Sequence, residues 1–371
     1  MPRFGKYAKT AIIKTVFSIN KQKNKMKKIN HALLLILLIL ITSFGKEANC
    51  QKSIIGFYNC ENFYDTTNQA NVTDEDFLPE SVKGYNRKAY DSKSKNLARV
   101  LYALGNLENA NGLAILGVVE IENKIVLSKL LEDPLLKKHH YKYVHFDSKD
   151  LRGIDVALIY NPAKFKPYQF RPYSLTDETH FTDYATRDIL YVTGLLENEW
   201  VHILVNHWPS RRGGEKISTP KRLWAASVCK RIMDSVQKNN PTAKWIVMGD
   251  FNDNPTDKSL RMLGLQNPFL LPYRKGMGTL AYNDSWNLFD QILISPNWVK
   301  ELPQKKGIPK GSYLNYCKPV IYKNNEMIET QGRYKGYPRR TYNGNNLRGG
   351  YSDHFPVALI FSLKNDKNEP K

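Results

Sequence analysis

Nine short runs of β-branched and aliphatic residues limit what this chain can fold into more than any other feature. They are "SIIGFYN" (53–59), "LAILGVVE" (113–120), "KYVHF" (142–146), "IDVALIYN" (154–161), "ILYVTGLL" (189–196), "VHILVNH" (201–207), "KWIVMGDF" (244–251), "FDQILIS" (289–295) and "FPVALIFSL" (355–363). Each has strand length, and several are apolar at successive positions, as strands are when both faces are covered. Two longer stretches, 90–106 and 218–240, have helical patterns. In the second, Ser218 or Thr219 is expected to cap and Pro220 to occupy the first turn. Many strands and few helices predict an α/β protein, two mixed β-sheets packed face to face with helices outside. The 371 residues suffice for one large domain or two ordinary ones, and a 42% hydrophobic share excludes a disordered chain.

The first fifty residues stand apart. "MKKIN" from Met26 precedes "HALLLILLILITSFG" (31–45), a basic start, an apolar run and a polar exit. This is the order of a secretory signal. The apolar run falls short of the ~20 residues that a membrane span needs. The expected organisation is an N-terminal extension and signal peptide over 1–50, with Met26 as the true start, and one domain over 51–371. The domain would be exported to the periplasm or the cell exterior, with no stable membrane insertion after cleavage. Lipoprotein anchoring at Cys50 is an alternative that Glu47, Ala48 and Asn49 fit poorly. The remaining cysteines, Cys60, Cys229 and Cys317, form no closely spaced pair and do not suggest a thiolate metal cluster. An exported location would permit one disulfide, but the sequence selects no pair.

Of the +20 formal charge, +9 belongs to residues 1–50 and +11 to the rest. That balance suits a polyanionic partner such as nucleic acid or an anionic membrane surface, and equally a high-pI secreted protein with neither. The basic residues concentrate in one segment, 298–350. There Tyr313, Tyr316, Tyr322, Tyr334, Tyr337 and Tyr342 alternate with lysines and arginines. It reads as a long loop, which inside a compact domain is usually functional.

Polar residues recur where an apolar run ends. Asn59 follows "IIGFY", Glu120 follows "AILGVV", His207 follows "HILVN", Asp250 and Asn252 follow "WIVMG", Asp290 begins "DQILIS", and Asp353 and His354 precede "FPVALIF". Taken singly, each is an ordinary turn former or strand-end cap. Together they provide carboxylate and amide oxygens suited to Mg²⁺, Mn²⁺ or Ca²⁺, and two imidazoles suited to proton transfer or phosphate contact. Phosphoester cleavage needs that set.

"FYNCEN", "GVVEIEN", "NHWPSR", "GDFND", "FDQILIS" and "YSDHFPV", in that order, resemble the signature blocks of the endonuclease/exonuclease/phosphatase superfamily. The resemblance spans about 53–363 and implies a four-layer α/β sandwich with the site at one edge of the paired sheets. It implies Glu120 as main metal ligand with Asn59 beside it, and Asp353 as a carboxylate near the metal. Asp250 and Asn252 would position water and phosphate, with Asp250 a candidate base. His354, buttressed by Asp290, would contact phosphate, and His207 would be the general acid. Arg187, in "TRDILYV", resembles a phosphate-contacting arginine. Asp155 is a candidate partner for His207, with a salt bridge to Arg152 or a lysine as the other reading.

Arg211 and Arg212, next to His207 in "NHWPSRRGGEK", are candidate substrate contacts. The expected activity is Mg²⁺-dependent hydrolysis of DNA, or RNA, by a monomeric enzyme. A phosphatase or phosphodiesterase acting on inositol phosphates or phospholipid head groups is the alternative. A non-catalytic polyanion-binding relative is the third reading.

Overall fold

A computed structural model of the chain describes residues 52–176, 185–298 and 312–365. The expected signal peptide, Cys50, and 299–311 of the basic segment lie outside these residues.

Each expected strand forms, and residues within it alternate between two cores. In β1 (Ser53–Phe63), Ile55 and Phe57 face one cluster while Ile54 and Tyr58 face another. The first cluster lies between the sheets and includes Val119, Ile203, Val205, Ile246 and Met248. The second joins β1 to helix α1 (Arg87–Gly105) through Leu97 and Leu101, and to α2 (Lys124–Leu131) through Val126 and Leu130. A third packs Leu204, Trp245 and Val247 against Ala225, Cys229 and Ile232 of α3 (Glu215–Gln237). The layers are therefore helix, sheet, sheet, helix, and continuous apolar strands result from burial on both faces.

The first sheet contains β1, β2 (Ile115–Ile121), β3 (Lys142–His145), β4 (Asp155–Tyr160), β12 (Ser312–Ile321) and β15 (Val357–Asn365), in the order β12-β15-β1-β2-β4-β3. The second contains β5 (Phe165–Tyr173), β6 (Ile189–Leu196), β7 (Glu199–His207), β8 (Lys244–Asp250) and β11 (Asp290–Ile294), in the order β11-β8-β7-β6-β5. Both are mixed. The parallel pairs β1–β2 and β7–β8 are the ones whose connections contain α1 and α3, since parallel neighbours need a crossover. Short hairpins β9 (Leu280–Tyr282) with β10 (Ser285–Asn287), and β13 (Tyr342–Asn343) with β14 (Asn346–Leu347), complete the strands.

Three expectations need correction. The basic segment is not one loop: β12 pairs along β15 and closes one edge of the first sheet. Its Lys318 and Pro319 disguise it, yet an edge strand tolerates both. β5 was unexpected for the same reason, with Pro167 and Pro172 in an edge strand of mostly exposed residues. Helix α3 starts at Glu215, not at Ser218 or Thr219. Gly213 and Gly214 break the chain at positive φ, and Ser218 donates to the Gly214 carbonyl through both N (3.1 Å) and Oγ (2.8 Å). Pro220 thus lies inside the helix and leaves the carbonyl four residues back without its usual amide. Cys60, Cys229 and Cys317 are all free thiols. Among the described residues no helix is long and apolar enough to cross a membrane.

Candidate active site

Strand register assembles the site. Asp250 of β8 is the register partner of both His207 of β7 and Asp290 of β11, so three polar residues stand side by side at one end of the second sheet. The first sheet contributes through bulges. The β2 register slips at Glu120, which adopts φ 57°, and the β1 register slips after Asn59, where Glu61 and Asn62 adopt φ 49° and 51°. A bulge redirects a side chain out of the alternating pattern, and here it turns Glu120 towards Asp250. The two carboxylates share Asn59: its Nδ2 donates to Asp250 Oδ2 at 3.0 Å and approaches Glu120 Oε1 at 3.4 Å. His207 Nε2 lies 3.8 Å from Glu120 Oε1 and 3.7 Å from Asp250 Oδ2.

The last wall is the turn before β15. His354 Nδ1 bonds Asp290 Oδ2 at 2.7 Å and its Nε2 lies 3.9 Å from Asp250 Oδ2. Ser352 Oγ donates to the Asn59 carbonyl at 2.7 Å and accepts from the His354 amide at 3.1 Å, tying the turn to β1. Gly350 packs so closely that a Cβ there would overlap the Arg339 and Arg340 carbonyl oxygens. Helix α1 reaches the same turn from below. Lys93 Nζ, buried, donates to Thr341 Oγ1 at 2.6 Å and to the Tyr351 carbonyl at 2.7 Å, and lies 3.6 Å from Glu61 Oε2. Asn96 Nδ2 donates to the Gly349 and Gly350 carbonyls at 3.1 and 2.9 Å.

The environments drive the titrating groups apart. Burial, reinforced by Asp290 and Glu120 against the pull of His354 and the Asn252 amide, pushes Asp250 up to about 7. Burial opposes the charge on His354, but Asp290, Asp250 and Asp353 outweigh it and hold the ring protonated well above the usual histidine range. Burial, with Arg187, Arg152 and His354 nearby, keeps His207 neutral. One histidine is thus cationic and the other neutral, within reach of the same carboxylate.

The other expected site residues make these contacts. Asn59, expected beside the metal, points its amide nitrogen at both carboxylates and its oxygen at the Glu61 amide (2.9 Å). Asp353 gives Oδ2 to Arg340 at 2.6 Å, while its Oδ1 lies 3.9 Å from His354 Nε2. It is a neighbour of the site engaged in an ion pair. Arg187 is buried, bonding Asp150 Oδ2 at 3.1 Å and the Trp208 carbonyl at 3.0 Å, and so supports His207 from behind. Arg211 is held by the Asn252 carbonyl (2.9 Å), Asp253 (3.3 Å), Asp257 (3.0 Å) and Glu215, and stacks on Phe289. It locks the loop after β8, where Asn252 N caps Asp250 Oδ1 at 3.0 Å and Asn252 Nδ2 donates to the Trp208 carbonyl at 3.0 Å. Arg212 is exposed. Asp155 is not the partner of His207: it bonds His145 Nε2 at 3.1 Å and the Ser148 amide at 2.8 Å.

Two arginines were missed. Arg152, with its side chain 46% exposed, lies within electrostatic range of Glu120 and His207. Arg340 bridges Glu61 (3.2 Å) and Asp353 (2.6 Å) at the mouth of the site. The only sequence hint for Arg152 is the glycine after it, which turns the chain at φ 67°.

The donor set fits a hard divalent cation. Glu120 and Asp250 bring oxygens to one spot beside the neutral His207, and burial, with Asp290 and Glu120 adding to it, raises Asp250. Asp250, Asp290 and His354 also have ligand atoms within 4.8 Å of one another.

Residues 54–363 match the model of the Endonuclease/Exonuclease/phosphatase family. Among solved structures, a protein of that family from Bacteroides thetaiotaomicron is similar at 15% identity and TM-score 0.51, over 84% of this chain and 97% of that one. Truncated Caenorhabditis elegans TDP2 is similar at 13% identity and TM-score 0.51, over 84% and 98%. The B. thetaiotaomicron mannosyl-6-phosphatase Bt3783 follows at 15% identity and TM-score 0.48, over 84% and 99%. No curated protein matches the chain.

Proposed function

The chain belongs to the endonuclease/exonuclease/phosphatase family and is a metal-dependent phosphoester hydrolase, and on that premise we propose that it cleaves phosphodiester bonds of nucleic acid outside the cytoplasm. The observation that carries the reading is the convergence of Glu120, Asp250, neutral His207 and the His354–Asp290 pair beneath a basic rim that contains Arg152 and Arg340. The signal-like pattern from Met26 supports export, and the +11 charge of 51–371 supports a polyanion.

Glu120 and Asp250 would hold the cation, which supplies Lewis-acid polarisation of a phosphoryl oxygen. Asp250 keeps its proton up to about 7 in the metal-free protein; a bound cation would favour its carboxylate form, which would then orient the attacking water or accept its proton. Asn252 and its amide fix the rotamer of that carboxylate. The His354 imidazolium, held by Asp290, offers Nε2–H and a positive charge to the phosphoryl oxygens. His207, neutral in the metal-free protein, would hydrogen-bond the phosphate, and would act as the general acid that the resemblance implies once it takes up a proton.

The deciding experiment is supercoiled-plasmid nicking with Mg²⁺, with and without chelator, beside phosphate release from inositol phosphates and mannose 6-phosphate. Nicking that the chelator abolishes supports the reading; phosphate release without nicking replaces it with the phosphatase alternative. Arg152→Gln is expected to raise KM about tenfold for a polyanionic substrate while changing kcat much less, because it removes a charge from the rim and none from the reacting atoms. An unchanged KM would remove Arg152 from the site.

A further inference from the structure

The basic segment folds back to form a cleft of about 480 Å³ beside the catalytic turn. One wall is the β9–β10 hairpin with Tyr282, and the other carries Tyr334, Tyr337, Arg333 and Arg348; Arg340 and Asp353 form the inner end. An aromatic ladder connects this cleft to the catalytic turn. Tyr334 leans on Tyr337 with ring centroids 5.5 Å apart, Tyr337 on Trp286 at 5.9 Å, and Trp286 stacks on Phe355 at 6.1 Å and 13°. Phe355 directly follows His354, and its amide donates to the Thr279 carbonyl at 2.7 Å. Tyr337 is fixed by Asp284, donating to Oδ1 at 2.7 Å and accepting from the amide at 2.8 Å. Tyr334 (49% exposed) and Tyr282 (71%) are left with open rings.

Arg340 is committed to Glu61 and Asp353, but the other two arginines of the cleft are weakly engaged. Arg333 lies 3.8 Å from Asp284 and Arg348 lies 3.9 Å from Glu329, both exposed at the cleft rim. Arg340 also lines a smaller cleft of about 180 Å³ on its other side, with Lys83, Tyr85 and Asn62. Asn62 is the residue whose amide donates to Glu120 Oε2 at 2.9 Å. The two clefts thus meet at Arg340, which lines both.

We infer that the larger cleft is the subsite for the nucleotide next to the cleaved phosphate, and that it takes an unpaired base, with Tyr334 as the stacking platform and Arg333 and Arg348 on the flanking phosphates. The inference rests on the nucleic-acid reading above and narrows it to single strands or frayed ends. A volume of this size is that of a site for one small ligand, such as a single nucleotide. Open tyrosine rings beside arginines are the pairing that non-sequence-specific single-strand binding uses. A phosphorylated sugar is the competing ligand; Asn283, Gln331 and Asn343 also line the cleft and offer amides to sugar hydroxyls, so the preference for a base rests on the open tyrosine rings.

The test uses a fluorescein-labelled thymidine 12-mer and an abasic 12-mer with the same phosphates. Anisotropy is read in chelator so that neither is cut. The intact protein should bind the thymidine strand at least about tenfold more tightly than the abasic one. Tyr334→Ala should erase that margin by weakening only the thymidine strand, and Tyr334→Trp should restore it. Arg333→Gln with Arg348→Gln should weaken both strands alike and flatten the salt dependence. Equal wild-type affinity for the two strands, or a margin that survives Tyr334→Ala, overturns the base subsite even if the thymidine strand is cleaved with Mg²⁺. If neither strand is bound or cleaved while mannose 6-phosphate is hydrolysed, the nucleic-acid reading has failed, and the base subsite with it.

Discussion

Asp250→Asn is expected to lower kcat by about 10³-fold or more while leaving the metal-free protein at least as stable as the wild type at pH 7. The two effects share one cause. Asp250 is buried among Glu120 and Asp290, and its carboxyl holds a proton up to about 7 in the fold. An unfolded aspartate releases it near pH 3.9. The folded state therefore binds more protons between those values, and in chelator its stability falls as pH rises from about 4 to 7. The amide introduced by Asp250→Asn does not titrate, so the variant should lose the part of that slope contributed by this carboxyl. His354→Ala should match the kcat loss, because it removes the imidazolium that faces Asp250. Thermal unfolding in chelator across pH 4 to 8, with steady-state kinetics in Mg²⁺, checks both halves. A variant of Asp250 with near-wild-type turnover on every phosphoester, or with a clear loss of stability at pH 7, contradicts the assignment.

The second large effect concerns stability. Lys93→Ala should destabilise the protein by about 3–5 kcal/mol, the usual cost of removing one partner from a buried ion pair. Its ammonium is buried between Glu61, Thr341 and the Tyr351 carbonyl. Without it Glu61 keeps the Thr341 amide (2.7 Å) and the half-exposed Arg340 (3.2 Å), but loses its one buried cation among the described residues. Adding Glu61→Gln to Lys93→Ala removes the stranded charge and should recover part of the loss. Denaturant unfolding of the two single variants and the double variant gives the coupling, and strict additivity would show that the ion pair carries no energy. Since Lys93 also fastens the turn that presents His354, Lys93→Ala should lower kcat at temperatures where the fold remains intact. That places a residue of α1, far along the chain from any catalytic block, in control of the site's geometry.

Much of the site was readable because its residues end strands. A strand has a fixed direction, and an apolar run broken by Glu120, His207 or Asp250 marks where that direction leaves the core. The layer order was readable for a related reason: runs apolar at every position require cover on both faces. The edge strands β5 and β12 were not, because an edge needs neither continuous apolarity nor freedom from proline.

The sequence by itself determined the chemical inventory: hard oxygen donors, two imidazoles and a basic, tyrosine-rich segment, in family order. Only the tertiary structure decided what each group does. Strand register made neighbours of His207, Asp250 and Asp290, and bulges turned Glu120 to meet them. Burial and neighbouring charges then made one histidine cationic and the other neutral. Packing committed Arg187 and Arg211 to internal partners and left Arg152 and Arg340 at the rim. Residue type is local, whereas charge state and reach depend on groups distant along the chain, brought together only by folding.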